Sequence, residues 1–249
     1  MDSPPIIAVA SYADDLEAVC ELLSALPADC SLTVIVTQHL KADRERLVAE
    51  ALARRTSFPV ALARDGMLAE QDHVYVTPAH ATLTMTAGHI RVAPNVGQFH
   101  HPGDILFTSL AQERGVGAIG VVLSGGGTDG ALGVQALRQV GGTAFAQHPG
   151  SARFPTMPIN AIETGCVGFV LRPNEGAASW SAGTVTRRLQ QVLRLACLSS
   201  KTKLERAGAM GCKCVLEVMR STVGAGPDTG PASGRAPYEG VAARRCVAG

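Results

Sequence analysis

Aromatic side chains are scarce. The chain carries one Trp, three Tyr and six Phe among 249 residues, too few for the stacking platforms that hold single-stranded nucleic acids. Charge is also thin, at 17% of residues with a formal net charge of +1. That balance gives no basic footprint for a nucleic acid or for a membrane surface. No run reaches the roughly 18 apolar residues of a spanning helix, so membrane insertion is not expected. The Pro4-Pro5 start lacks the basic region of a secretory leader, and the apolar stretch behind it is too short for a leader core. Usable zinc spacing is missing as well: Cys212-Lys213-Cys214 and Cys246 do not form a ligand pattern, and no metal site is assigned. Seven cysteines, an odd count scattered over the chain, read as reduced thiols in a cytoplasmic protein.

What is present is a hydrophobic chain, 46% apolar, long enough for one α/β domain with a sizeable core and a remainder. The run Ile6-Ile7-Ala8-Val9-Ala10-Ser11 reads as a buried first strand, followed by a tight turn. Leu16, Val19, Leu22, Leu23 and Leu26 then share helical spacing, with Asp14 and Asp15 in the first turn and Pro27 as the stop. A β-branched run, residues 32–37, predicts a second strand delivering Gln38 and His39 at its C-terminal end. A helix over residues 41–55 and a strand over 59–63 follow. Residues 66–97 change character, with short alternating runs at 73–76, 82–85 and 89–92. Ala87-Gly88 between the last two is a hairpin signal, and the whole stretch is expected as an antiparallel excursion at one sheet edge.

The strand–helix rhythm then resumes. A helix is expected over 103–113, a strand over 118–123, a glycine-rich turn, a helix to 140, a strand over 143–147, a short helix over 157–163 and a strand over 166–171. The alternation predicts a doubly wound, mostly parallel, Rossmann-like three-layer α/β sheet. Residues 181–198 carry one apolar face, and residues 224–237 are rich in Gly, Pro, Ser and Ala, a composition that cannot bury a core.

Three side chains follow apolar strands and would meet at one sheet edge, where open α/β sheets bind ligands: Ser11, His39 and Asp129. A serine becomes a nucleophile when a base takes its proton and a carboxylate holds that base in the right tautomer. Taken locally, Ser11 also fits a plain helix cap. The turn Gly125-Gly126-Gly127 admits two readings, a phosphate cradle or a tight turn needing permissive backbone. His73, His80 and His89 read as surface or packing residues, His100-His101 as a substrate-side candidate, and Cys20, Cys30 and Cys166 as ordinary buried thiols.

These residues carry a resemblance. Leu23-Ser24-Ala25-Leu26-Pro27, Val36-Thr37-Gln38-His39-Leu40, Asp65-Gly66-Met67 and His73-Val74-Tyr75-Val76-Thr77-Pro78 stand in order along the chain. Gly120-Val121-Val122-Leu123-Ser124-Gly125, Asp129-Gly130 and Gln147 through Ser151 to Met157-Pro158 continue the series. Together they resemble the catalytic domain of CheB-type protein-glutamate methylesterases, most of all the version at the front of CheB–CheR fusion proteins. The resemblance implies hydrolysis of glutamate γ-methyl esters on chemoreceptors, with deamidation of receptor glutamine in some members. It puts the nucleophile on Ser11, the general base on His39 and the orienting acid on Asp129, with no metal or organic cofactor. Methylated chemoreceptor helices are the implied protein substrate, and a separate receiver or methyltransferase protein the implied partner. The expected domain spans residues 3–172, with a C-terminal helix within 173–201 and a disordered tail over 202–249.

The chain also departs from the family pattern. Tyr12-Ala13-Asp14 stands where a small residue and two glycines are usual, Gly126 where Met or Thr is common, and Val9 where the strand end carries glycine. Tyr12, Gly125 and Gly126 are the candidate oxyanion and substrate-binding positions, with amides at the start of the helix after Ser11 as further donors. An acidic side chain at position 14 opposes a developing oxyanion. Three readings therefore compete: a working methylesterase or amidase, a catalytically impaired relative serving as a binding or signalling module, and a phosphate-ligand domain built on Gly125–Gly127.

Overall fold

Val9, buried completely like its neighbours, lies at the centre of the sheet that organises the molecule. The structure is a computed structural model, and it describes residues 5–12, 15–24, 26, 32–39, 44–95 and 101–171. The proposed C-terminal helix and tail lie outside the described residues, as do residues 13 and 14.

In chain order the elements are β1 (Ile6–Tyr12), α1 (Leu16–Ser24), β2 (Thr33–His39), α2 (Glu45–Ala53), β3 (Val60–Leu62), β4 (Met67–Leu68) and β5 (His73–Val76). There follow β6 (Ala81–Thr86), β7 (His89–Pro94), α3 (Pro102–Arg114), β8 (Ala118–Val122), α4 (Ala131–Gln139), β9 (Thr143–Gln147), α5 (Thr156–Glu163) and β10 (Phe169–Leu171). Seven strands form one sheet in the order β10-β9-β8-β1-β2-β5-β3, and every pairing in it is parallel. Burial on both faces explains the near-continuous apolar sequences of β1, β2 and β8.

Side chains alternate between two cores. Ile7 and Val9 of β1 join Val19, Leu22 and Leu23 of α1 and Leu52 of α2 on one face. Ile6, Ala8 and Ala10 join Leu106 and Phe107 of α3, Val134 of α4 and Met157 of α5 on the other. The result is the expected three-layer doubly wound sheet. From β1 the chain crosses to β2 on one side, and from β8 it moves to β9 on the other. The crevice between the β1 and β8 ends is therefore the point where strand order reverses, the usual ligand position in such sheets.

One expectation needs correcting. His73–Val76 is not part of the antiparallel excursion: β5 sits inside the parallel sheet, between β2 and β3. The apparent alternation misleads because Val74, Tyr75 and Val76 are all buried. A strand covered on both faces shows no polar side, and its neighbours decide its place. The antiparallel sheet comprises β4, β7 and β6. Its β6–β7 turn is the Ala87-Gly88 pair, with φ of 51° and 79°. Positive φ suits glycine and strains alanine. The Glu113 carboxylate of α3 holds the turn by accepting both amide protons, from Ala87 at 3.0 Å and Gly88 at 2.6 Å.

Among the described residues, no helix is long and apolar enough to cross a membrane.

Candidate active site

Ser11 is the second-last residue of β1 and is 2% exposed. In the β1–β2 register it lies opposite Gln38, and Tyr12 lies opposite His39. His39 is thus the last residue of β2, one position beyond the partner of Ser11. Ser11 Oγ accepts a hydrogen bond from Gln38 Nε2 at 2.7 Å. Gln38 is itself 4% exposed, and its Oε1 has no partner among the described residues.

Asp129 comes from the turn between β8 and α4 and is equally buried, at 4% exposure. Its carboxylate accepts the first amides of α3: Gly103 N–H donates to Oδ2 at 3.0 Å and Asp104 N–H to Oδ1 at 2.9 Å. The positive end of α3 thus holds a carboxylate that burial would otherwise penalise. Gly103 is the spacer between this carboxylate and β1. A Cβ there would lie 2.8 Å from Ala10 Cβ and 3.0 Å from both Asp129 oxygens. Asp129 therefore sits across a single glycine from the residue preceding Ser11.

The loop after β8 forms the other wall. Tyr12 N–H donates to Ser124 O at 3.0 Å, and Gly125 N–H donates to Phe154 O at 2.8 Å. Ser124 N–H donates to Gln147 Oε1 at 2.8 Å, and Ser124 Oγ accepts from Phe154 N–H at 2.9 Å. These bonds engage the amides of two candidate residues, Tyr12 and Gly125. The Tyr12 ring meets Phe154 edge-on at 5.8 Å, and the Arg153 guanidinium lies 5.3 Å from the Phe154 centroid. Gly125 is dictated by packing, since a Cβ would fall 2.1 Å from Met157 Sδ. At Gly126 a Cβ meets nothing within 4 Å, so the loop has room for a side chain there.

His101, Asp104 and Asp129 present ligand atoms within 4.8 Å of one another, a group whose residue types suit a metal. His101 Nδ1 lies 3.6 Å from Asp104 Oδ2 and 3.9 Å from Asp129 Oδ1. Their oxygens already have other work, because both of Asp129 take α3 amides and Asp104 Oδ1 takes the Gly133 N–H at 2.7 Å. The cluster reads as a clasp between the starts of α3 and α4. Burial pushes the Asp104 carboxyl above its ordinary range; the Gly133 N–H pulls it back, and the Asp129 charge pushes it up again.

A cleft of about 320 Å³ opens beside this wall, with Asp15, Glu17 and Glu21 facing Gln147, Ser151 and Arg153. Burial, and then the Glu17 and Asp15 charges, raise the Glu21 carboxyl to about 7. The folded state therefore holds a proton that the unfolded chain releases near 4.5. Stability falls as pH rises from 4.5 towards 7 and levels off above it. Because this carboxyl stays partly open to solvent, the loss is held to about 1 kcal/mol. Glu21→Gln is expected to flatten that part of the pH–Tm curve, as thermal melts across the window will check. An unchanged slope would assign the pH dependence elsewhere.

Residues 7–179 match the family described as CheB methylesterase. The chain belongs to that family. Among its relatives, a protein-glutamate methylesterase/protein-glutamine glutaminase of Anaeromyxobacter dehalogenans is 36% identical over 173 residues, covering 68% of this chain and 51% of that protein. The corresponding protein of Salmonella typhi is 33% identical over 177 residues, covering 69% and 50%. An uncharacterized 104.1 kDa protein of Rhodobacter capsulatus is 40% identical over 142 residues, 57% of this chain and 15% of that protein. The chain thus spans about half the length of the named methylesterases it matches. The crystal structure of the Thermotoga maritima CheB methylesterase catalytic domain superposes with a TM-score of 0.66 at 22% identity, covering 76% of this chain and 99% of that one. That CheB fold is the doubly wound sheet described above.

Periodicity assigns Gln38 no role, although it stands beside His39 at the end of an apolar run. The available signal was a polar side chain in strand register with Ser11, and register is a property of the folded sheet.

Proposed function

We propose that this CheB-family chain is a serine-type protein-glutamate methylesterase that also deamidates glutamine, acting on chemoreceptor helices in adaptation. The observation that carries the reading is the environment of Ser11. Its hydroxyl is buried at the strand-order reversal in hydrogen-bond contact with Gln38, and the residue before it, Ala10, is one glycine away from the Asp129 carboxylate. The names of the relatives supply the substrate class. Their greater length leaves a receiver or methyltransferase protein as a partner in this proposal.

In the proposed reaction Ser11 Oγ attacks the ester carbonyl carbon while His39 takes the hydroxyl proton, and the carbonyl electron pair moves onto oxygen. Asp129 holds His39 in the tautomer that accepts this proton and stabilises the imidazolium that forms. Collapse of the tetrahedral intermediate expels the methoxy group, which takes the proton from His39 and departs as methanol. Water then gives a proton to His39 and attacks the acyl carbon. Glutamate is released, and Ser11 regains its proton. With glutamine, ammonia leaves in place of methanol.

Methanol release from methylated receptor membranes tests this reading on the full chain. Ser11→Ala is expected to lower the rate at least about 10³-fold, and to cost about 1–3 kcal/mol of stability through the buried Gln38 N–H it leaves without an acceptor. Equal rates would remove Ser11 from the mechanism. Absence of turnover in both, with receptor binding retained, would favour the impaired binding module.

A further inference from the structure

We infer that Gln38 is a further catalytic residue, a side-chain amide that directs the Ser11 proton to the base and then stabilises the oxyanion. The inference rests on the reading of Ser11 as nucleophile. It starts from what a hydroxyl can do: a serine oxygen has one proton to donate and two lone pairs to offer. Gln38 Nε2–H occupies one lone pair at 2.7 Å. With a donor on that side, the Ser11 proton is turned away from Gln38 and is available to a base.

Four backbone amides beside the site are already engaged. The amides of Tyr12, Leu123, Ser124 and Gly125 donate to Ser124 O, Ala10 O, Gln147 Oε1 and Phe154 O. Among the described residues, Gln38 Nε2 is the donor that meets the reacting oxygen. The oxyanion and Oγ share one carbon in the tetrahedral intermediate. A donor in contact with Oγ therefore reaches the oxyanion by a small side-chain rotation. As Oγ forms its bond to carbon it becomes a poorer acceptor, and the developing oxyanion becomes a much better one. The N–H thus gains strength in the transition state, which is the condition for accelerating the step.

Two further observations separate this role from packing. Gln38 is 4% exposed, so its amide acts in a water-poor setting where a fixed dipole counts for most. Among the described residues its Oε1 is buried without a partner, an unfavourable arrangement that a residue kept only to fill space would avoid. Leucine fills the same space without it.

The test uses the full chain, with methanol release from methylated receptor membranes and fluorophosphonate labelling of Ser11 as parallel readouts. Gln38→Leu removes the donor; Gln38→Glu keeps the shape but replaces the donor with an acceptor. Both are expected to lower kcat about 100-fold, with KM within twofold of wild type. The labelling rate is expected to fall by a similar factor, and thermal melts will identify any variant that fails to fold. A folded Gln38→Leu or Gln38→Glu protein that keeps kcat within threefold, while Ser11→Ala is inactive, overturns the role of Gln38 and leaves the esterase reading standing. Wild-type turnover no faster than Ser11→Ala overturns that reading, and this inference with it.

Discussion

Asp129→Asn is expected to lower kcat about 10⁴-fold with KM nearly unchanged. In the proposed mechanism the carboxylate holds the base in its proton-accepting tautomer and offsets the imidazolium charge. Asparagine supplies neither. The same substitution strikes the fold, because the two Asp129 oxygens accept separate α3 amides, at 3.0 and 2.9 Å. Asn offers one carbonyl oxygen, and its NH₂ faces the second amide donor to donor. One buried N–H at the start of α3 is left without an acceptor, a loss of about 1–3 kcal/mol. Steady-state kinetics with a parallel thermal melt separates the two effects, since the folded fraction enters kcat directly. A folded variant within tenfold of wild type would remove Asp129 from the chemistry and leave it as the clasp of α3.

Phe107→Ala carries the largest expected effect on stability, about 3–5 kcal/mol. The ring is completely buried, and three glycines leave space for it. A Cβ at Gly133 would lie 2.5 Å from Phe107 Cβ, at Gly120 3.2 Å from its ring, and at Gly130 3.7 Å from its ring. Those glycines come from α4, β8 and the turn that bears Asp129. Each lacks a side chain that might collapse into the hole, so the cavity stays open and its cost is borne in full. For a chain of this size the loss corresponds to a Tm lower by about 10 °C. Activity at low temperature should survive better than stability, because Phe107 touches no reacting group. A loss below about 1 kcal/mol would mean that α3 and α4 close over the cavity.

Much of the fold was legible because its signals are local. Helical spacing at Val19, Leu22 and Leu23 predicts the buried face that α1 presents. The apolar run before Ser11 predicts a strand covered on both faces, and β9 spans the predicted residues 143–147. His73–Val76 defeats local pattern because a short run of valine and tyrosine fits either sheet equally well. Its place depends on pairing with Thr33–Val36 and Val60–Leu62, both distant in sequence.

The candidate site divides along the same line. Local pattern is enough to show that Ser11 and His39 end apolar runs and that Asp129 lies in a glycine-rich turn before a helix, since periodicity and turn chemistry act over a few residues. Tertiary structure alone decided that Ser11 faces Gln38, that Asp129 rests on the first amides of α3, and that the Tyr12 and Gly125 amides bond across the loops. Each of these is a contact between elements far apart in the chain. Strand register and core packing, and not the residues on either side, determine which donor meets which acceptor.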